Sequence, residues 1–317
     1  MKTTIYVFAL MLISLIGQAQ QNTQYSQYIF NQLVINPAYA GTKGLVNITG
    51  LYSAQWAGLD GAPVTQSLSV EGPFMKTMGL GLHFINDEIG AQRNQSMFGS
   101  YSYILRLNQT MRLSMGVSSG VTYSSLNGNL LSEEMQNDPA IPVNKIDFTR
   151  FDSKLGFFLF SRKFYAGFSV SELTANVKNS YDMLVAGQVQ HYYLTAGYVF
   201  NLTPDLKFKP GFLIKEDFRA PMNIDINAFM LYKNRIWFGG TFRTGAPVFN
   251  SKSLDESLRT RDAVLLMTEM FISDKLRVGY AFTYSLTSLH GFSGHEVLLA
   301  YSFQKKAPTK MLTPRFF

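Results

Sequence analysis

The sequence contains no cysteine among its 317 residues. Thiol catalysis, disulfide bonds and thiolate metal sites are therefore excluded. Charge is also scarce, because only 15% of the residues are Asp, Glu, Lys or Arg, against about 25% in an average globular domain. The formal net charge is +7, but the basic residues are scattered singly along the chain. We therefore expect no nucleic-acid partner, since nucleic-acid binding needs basic residues clustered on one face.

The sequence also lacks a hydrophobic run long enough to form a membrane-spanning helix. The uncharged run over residues 5–17 is too short, because the hydrocarbon core of a bilayer takes about 20 residues. Lys2 precedes this run, which ends in the small residue Gly17 and is followed by the small residue Ala19, as in a secretory signal. We predict that residues 1–19 are a signal peptide. An exported chain without a spanning helix is either a soluble fold or a β-barrel.

Aromatic residues are abundant, with 17 Tyr and 26 Phe. Over residues 275–303, apolar residues occupy every second position, and small or polar residues stand between them. A period of two indicates strands with one apolar and one polar face. The alternation recurs from residue 44 onward in segments of the length that a tilted membrane strand requires. The predicted strands span residues 45–56, 63–72, 77–86, 96–107, 110–123, 151–161, 163–170, 191–201, 205–215, 222–232, 235–243, 261–272 and the two strands within 275–303.

The lengths of the connections give a second indication that is independent of the alternation. Connections that follow even-numbered strands are short, whereas the long loops at residues 124–150, 171–190 and 244–259 follow odd-numbered strands. Outer-membrane barrels have short turns on the periplasmic side and longer loops outside. We therefore predict an all-β, antiparallel transmembrane outer-membrane β-barrel of about 14 strands, formed by residues 44–304. The last strand must pair with the first, because a free strand edge cannot exist in lipid.

The charged residues within the predicted strands fall on the polar faces. A Lys or Arg that faces lipid at the bilayer midplane costs about 2–4 kcal/mol, so we expect these side chains to line a polar lumen. The candidate lumen charges are Arg106, Arg112, Lys207, Lys209, Asp225, Arg235, Arg243 and Arg277. Two interpretations stay open: ion pairs that fill the barrel, or a selective path for an anionic ligand.

Residues 20–43 precede the strands and show no steady alternation. Four aromatic residues and the breaker Asn36-Pro37 favour an ordered segment, which is a candidate plug of the lumen; the alternative is a periplasmic tail. Residues 305–317 are predicted to form a basic periplasmic tail. The basic side chains Lys305, Lys306, Lys310 and Arg315 are either solvated or in contact with an acidic partner.

Candidates for catalysis and metal binding are weak. His290 and the pair His295-Glu296 have no further His nearby in the sequence to complete a closed metal site. No spacing supports a hydrolase triad of Ser293, His295 and Glu269, since a triad is recognised by its geometry. A glycine-rich phosphate loop of the Walker or Rossmann pattern is also missing. We expect no enzymatic activity and no cofactor.

Several stretches resemble the PorP/SprF-like outer-membrane proteins of the type IX secretion and gliding systems. The stretches cover residues 24–41, 55–69, 79–90, 191–215 and 294–303. The runs NPAYAG (36–41) and QWAGLDGAP (55–63) are the most specific. The 244–260 loop and the tail beyond Phe303 are longer than the resemblance leads us to expect.

The resemblance implies a non-enzymatic barrel in the outer membrane of a Gram-negative, Bacteroidota-type bacterium. Its expected partners are the lipid bilayer, the C-terminal domain of a secreted cargo protein and other type IX secretion components. The cargo would be adhesin-like, with a type B C-terminal domain, and the barrel would deliver it or hold it at the surface. The alternative function is an outer-membrane transporter or porin for a small solute, an anion included. Residues carried over as candidate partner or plug contacts are Tyr25, Tyr28, Phe30, Asn36, Pro37, Tyr39, Trp56 and Asp60.

Overall fold

The computed structural model describes residues 26–128, 145–174, 189–218, 220–246, 248, 263–287 and 291–303. The predicted signal peptide, Tyr25, His290 and the C-terminal tail lie outside the described residues. Within those ranges, the helices that occur are all too short or too polar to cross a membrane.

In the described part of the chain, fourteen antiparallel strands form one closed sheet, which confirms the predicted barrel. The strands are β1 (Val46–Ala54), β2 (Val64–Met75), β3 (Met78–Ile89), β4 (Gln92–Arg106), β5 (Arg112–Asn127), β6 (Lys145–Phe160), β7 (Phe164–Ser171), β8 (His191–Tyr198, continued by Phe200–Asn201), β9 (Leu206–Glu216), β10 (Met222–Tyr232), β11 (Ile236–Ala246), β12 (Ala263–Phe271), β13 (Leu276–Ser285) and β14 (Ser293–Phe303).

The barrel closes between its first and last strands. β14 pairs with β1 from Val46 opposite Phe303 to Ala54 opposite His295, and β13 lies on the other side of β14. Every described strand is therefore paired with a neighbour on each side, and the sheet has no free strand at its seam. The predicted seam is confirmed.

The two faces of each strand follow the sequence alternation, including the strand in which the alternation is weakest. In β12, Leu265 and Met267 are buried inside the barrel, whereas Val264, Leu266 and Met270 are exposed on the outside. β12 is apolar on both faces because its inward residues belong to an apolar cluster inside the barrel. The expected polar lumen is thus only partly correct, because inward residues of several strands form apolar clusters with the N-terminal segment.

Some strands are longer than the sequence indicates. The predicted 124–150 loop is too wide, because β5 continues to Asn127 and pairs there with Lys145 of β6. The β3–β4 hairpin likewise stays paired up to Ile89 opposite Gln92, and Gly90 has a φ of +54° in the turn. These strand ends carry polar residues on both faces. Apolar and polar residues alternate only in the part of a strand that faces lipid. The sequence pattern therefore does not show that these strands continue beyond it.

From residue 26 onward, three short 3-10 helices precede β1: η1 (Ser26–Ile29), η2 (Gln32–Val34) and η3 (Pro37–Tyr39). All residues from 28 to 42 are buried. We call residues 26–43 the lumen segment, because their contacts place them inside the barrel, as described next.

Candidate functional site

The lumen segment is hydrogen-bonded to inward side chains on widely separated strands. Asn31 Nδ2 donates to Ser69 Oγ of β2 at 2.9 Å. Ser169 Oγ of β7 donates to the backbone oxygen of Ile35 at 2.6 Å, and Asn227 Nδ2 of β10 donates to Tyr28 Oη at 2.8 Å. Because these three strands stand on different sides of the barrel, the segment bridges the lumen.

Asn36 connects the segment to the wall through both ends of its side-chain amide. Its Oδ1 accepts from the Ala38 backbone N–H at 2.9 Å and so caps η3, with Pro37 at the first helical position, where no N–H is needed. Its Nδ2 donates to the backbone oxygen of Phe157 at 3.0 Å and lies 3.4 Å from that of Phe168. One side chain therefore shapes the turn and anchors it to β6 and β7.

The wall opposite this turn has glycine where the segment approaches most closely. An added Cβ at Gly79 would lie 2.2 Å from the Ala40 oxygen, and one at Gly116 would lie 2.3 Å from the Ala38 nitrogen. At Gly156 it would lie 2.1 Å from Asn36 Oδ1. Any side chain at these positions would displace the segment, so we call Gly79, Gly116 and Gly156 the glycine seat.

The end of the segment is held by a buried carboxylate. Glu71 of β2 accepts from the Gly41 backbone N–H at 2.8 Å and from Asn47 Nδ2 at 2.7 Å. Gly41 has a φ of +71°, a conformation that favours glycine. The Lys43 ammonium lies 5.3 Å from the centre of the Tyr39 ring. The chain thus leaves the lumen through a fixed turn directly into β1.

Apolar contacts surround the segment at two places. Phe30 packs edge-on against Phe229 of β10, with ring centres 5.9 Å apart. Tyr39 packs edge-on against Phe158 of β6 at 5.5 Å. These pairs belong to the two apolar clusters inside the barrel, and aromatic pairs of this kind contribute about 0.5–1.5 kcal/mol beyond burial of their area.

Four of the eight candidate lumen charges are inside the barrel and make specific contacts there. Arg243 forms a two-pronged ion pair with Asp225, at 2.7 and 2.9 Å. Arg277 Nη1 donates to Glu269 Oε1 at 2.9 Å. The Lys209 ammonium lies between the Tyr165 and Trp237 rings, 5.6 and 5.4 Å from their centres.

The other four candidate charges lie near the ends of the strands. Arg106 and Arg235 are exposed beside the short turns, and Arg112 and Lys207 are half-buried. Arg106 Nε donates to the Asn108 backbone oxygen, and Lys207 Nζ donates to Asn234 Oδ1. These side chains are at the rim and not in the middle of the lumen.

The candidate partner or plug contacts divide into two groups. Tyr28, Phe30, Asn36, Pro37 and Tyr39 are buried in the lumen segment. Trp56 and Asp60 lie in the connection between β1 and β2, where Asp60 is exposed and Trp56 is half-buried with a φ of +49°. The two most specific sequence runs therefore occupy different parts of the molecule.

The geometry excludes the hydrolase triad considered from the sequence. His295 Nε2 lies 3.0 Å from Ser293 Oγ, but its Nδ1 bonds to Tyr280 Oη at 2.8 Å. These three residues share the outer face of the barrel, whereas Glu269 points inward to Arg277. Within the described ranges, no three His, Cys, Asp or Glu side chains are arranged to hold a metal ion.

Sequence reasoning missed the small residues that hold the lumen segment. Besides the glycine seat, Ser69, Ser102 and Ser169 bond to the segment, Ser102 Oγ at 2.7 Å from the Ala40 oxygen. Gly and Ser recur on the polar faces of the strands, and this recurrence was the available signal. It does not reveal which positions contact the segment, because that depends on the register around the barrel.

A family model described as "Type IX secretion system membrane protein PorP/SprF" matches residues 17–301. None of the curated proteins matches the chain. Among solved structures, a CymD monoaromatic hydrocarbon channel is 12% identical, with a TM-score of 0.51, covering 92% of this chain and 96% of that one. The outer membrane protein Omp33 of Acinetobacter baumannii is 11% identical, with a TM-score of 0.49, covering 83% of this chain and 100% of that one. At such identities the likeness to CymD shows the barrel fold alone.

Proposed function

Because the chain belongs to the PorP/SprF family of type IX secretion system membrane proteins, we propose that it helps to deliver a secreted protein or attaches that protein to the cell surface. The proposed cargo is adhesin-like and carries a type B C-terminal domain. The barrel binds this domain and works with other type IX secretion components in the outer membrane of a Bacteroidota-type bacterium.

The observation that carries this proposal beyond family membership is the burial of residues 28–42 inside the barrel. A porin of the open kind needs a continuous water path through its lumen. Here the segment is hydrogen-bonded to β2, β7 and β10 and packs against the glycine seat. We therefore propose that the lumen segment is a plug and that the barrel acts through its surfaces.

Passage of a small anionic solute is the alternative function. The inward cations Lys209, Arg243 and Arg277 favour it, because a positive lumen attracts anions. However, Arg243 and Arg277 each bind a carboxylate of the wall, Asp225 or Glu269, so their charge is largely compensated. The hydrocarbon channel in the comparison shares the fold alone and does not support a solute for this chain.

The position of the candidate contacts suggests which of them meet the cargo. Trp56 and Asp60 lie in a connection that follows an odd-numbered strand, the class of connection that faces outside in such barrels. We propose that they contact the cargo domain. The buried Tyr28, Phe30, Asn36, Pro37 and Tyr39 instead hold the plug in place.

The test is a deletion strain complemented with variants of the full chain. We expect surface display of a type B cargo to be lost on deletion, while uptake of small anions stays unchanged; intact display with reduced uptake would overturn the proposal. The cargo's C-terminal domain should co-purify with the wild-type barrel and less well with the double variant Trp56→Ala, Asp60→Ala. Asp205→Ala is the matched control, because Asp205 is exposed in a short turn between β8 and β9.

A further inference from the structure

β6 extends well past the end of its neighbour β7. Its pairing with β5 runs from Phe160 opposite Arg112 up to Lys145 opposite Asn127. Its pairing with β7 ends where Leu155 stands opposite Val170. The upper part of β6 therefore lies beyond the last residue pair with β7. We call residues 145–150 the β6 edge; at about 3.3 Å per residue they extend for roughly 20 Å.

The residues just below this edge show which way its backbone groups point. The Leu173 N–H donates to the Ser153 oxygen at 3.2 Å, and Thr174 Oγ1 donates to the Phe151 oxygen at 2.6 Å. Odd-numbered residues of β6 thus direct their backbone groups away from β5. Because the direction alternates along an antiparallel strand, Lys145, Asp147 and Thr149 point their N–H and C=O groups to the same side. No described residue bonds to these groups.

The β6 edge lies above the apolar band of the barrel. Phe151 is 61% exposed on the outer face, whereas the outward residues above it, Thr149, Asp147 and Lys145, are polar. The same change occurs on β3 and β4, where Arg93 of β4 bonds to Asn86 and Glu88 of β3 at 2.8 and 3.0 Å. The edge follows the β5–β6 connection, which is one of the long loops, so in an outer-membrane barrel it faces outside.

We propose that the β6 edge binds an extended segment of a secreted protein, which adds a strand to the sheet. The N–H and C=O groups of Lys145, Asp147 and Thr149, to which no described residue bonds, supply the main-chain bonds of such an addition. The outward side chains of Lys145 and Asp147 form an ion pair at 3.0 Å and are exposed. A partner strand with an acidic residue opposite Lys145 and a basic residue opposite Asp147 would complement them.

The inner side of the β6 edge restricts the partner further. The Arg150 guanidinium stacks over the Phe148 ring at 4.9 Å, so this side offers a flat, partly apolar surface for a β-branched or aromatic residue. The ion pair on the other side disfavours an uncharged apolar strand, which would leave both charges without new partners. The inference rests on the proposed function only for its choice of a secreted protein as the partner.

The experiment uses the purified full chain in lipid nanodiscs and two synthetic peptides of about eight residues. Both peptides alternate Thr and Val. One carries Glu opposite Lys145 and Lys opposite Asp147, and the other has these two charges exchanged. We expect the complementary peptide to bind about tenfold more tightly and to slow amide hydrogen exchange at Lys145, Asp147 and Thr149. Thr149→Pro removes one N–H of the β6 edge and should weaken binding about tenfold, whereas Thr149→Val, which keeps the amide, should not.

A peptide that is N-methylated at alternate residues tests the main-chain bonds on the unaltered protein and should not bind. Equal binding of both charged peptides, or undiminished binding to the Thr149→Pro variant, would overturn the proposal. Slow hydrogen exchange of the Lys145, Asp147 and Thr149 amides without peptide would also overturn it, because another part of the same chain would then be bonded to the β6 edge. A dimer that dissociates in the Thr149→Pro variant would assign the edge to a second copy. Each of these results would leave the cargo-display result of the deletion strain intact, so the two proposals fail separately.

Discussion

At the scale of single residues, Asn36 shows why the run that it begins is so specific. Its side-chain oxygen accepts the hydrogen bond that caps η3, and its side-chain nitrogen donates to the backbone oxygens of Phe157 and Phe168. Asp would supply only the acceptor, and Leu would supply neither. A buried amide that loses a partner is left unsatisfied, at a cost of about 1–3 kcal/mol. The position therefore accepts few residues other than Asn.

The glycine seat makes a prediction about Gly116. An added methyl group would lie 2.3 Å from the Ala38 nitrogen and 2.5 Å from its Cα, so the wall or the segment must move. We expect Gly116→Ala to lower the free energy of unfolding by about 1–3 kcal/mol, the usual range for overpacking. Thermal unfolding of the purified barrel in detergent, followed by its change in gel mobility, measures this.

Gly50→Ala is the matched control for this prediction. An added Cβ at Gly50 would have its nearest neighbour at 4.0 Å, the Leu299 oxygen. We expect a change of no more than about 0.5 kcal/mol, as for most surface substitutions. Equal stability of the two variants would show that the segment does not depend on the glycine seat.

At the scale of elements, the seam between β1 and β14 determines whether the sheet can close. β14 gives its backbone groups to β1 on one side and to β13 on the other. Loss of this strand would leave two open edges in lipid, where each unpaired backbone group costs several kcal/mol. The described pairing of β14 ends at Phe303 on the β1 side and at Tyr301 on the β13 side.

Two truncations test the seam. Deleting residues 294–303 should abolish insertion into the outer membrane, because β1 and β13 cannot pair with each other in its place without breaking the register of the barrel. Deleting residues 304–317 should leave insertion intact. Fractionation of outer membranes with a folded-state gel assay measures both variants, and efficient insertion of the first one would contradict the assignment of the seam.

The strands also show how far sequence reasoning reaches. A residue that faces lipid must be apolar, so the period of two predicted the number and order of the strands and which of their residues face outward. The partner of β14 followed from the rule that no strand edge is free in lipid. Strand residues beyond the lipid need not be apolar and therefore do not alternate. For this reason the sequence placed Asp87 and Ser125 in loops, although both are paired within strands. The interior was less predictable, because Gly116 and Ser169 lie far from residues 35–38 in the sequence and meet them only after the barrel closes.

At the scale of the whole molecule, the barrel and its lumen segment form one connected structure. The segment bonds to β2, β4, β6, β7 and β10 and supplies apolar residues to both clusters inside the barrel. Because the segment runs directly into β1, its position is tied to the seam. These contacts favour a rigid barrel that presents outer surfaces to partners, in agreement with the proposed role in secretion.

The proposed plug predicts the electrical behaviour of the protein. Wild-type barrels reconstituted in a planar bilayer should conduct few or no ions, because residues 28–42 bridge the lumen and are buried against its wall. Deleting residues 28–42 should open a conducting path, since the inward charges of Lys209, Asp225 and Arg277 would then face water. A deletion of residues 58–61 in the exposed β1–β2 connection is the control, because it shortens the chain without touching the lumen. Stable conductance of the wild type, unchanged by loss of residues 28–42, would refute the plug and favour solute passage.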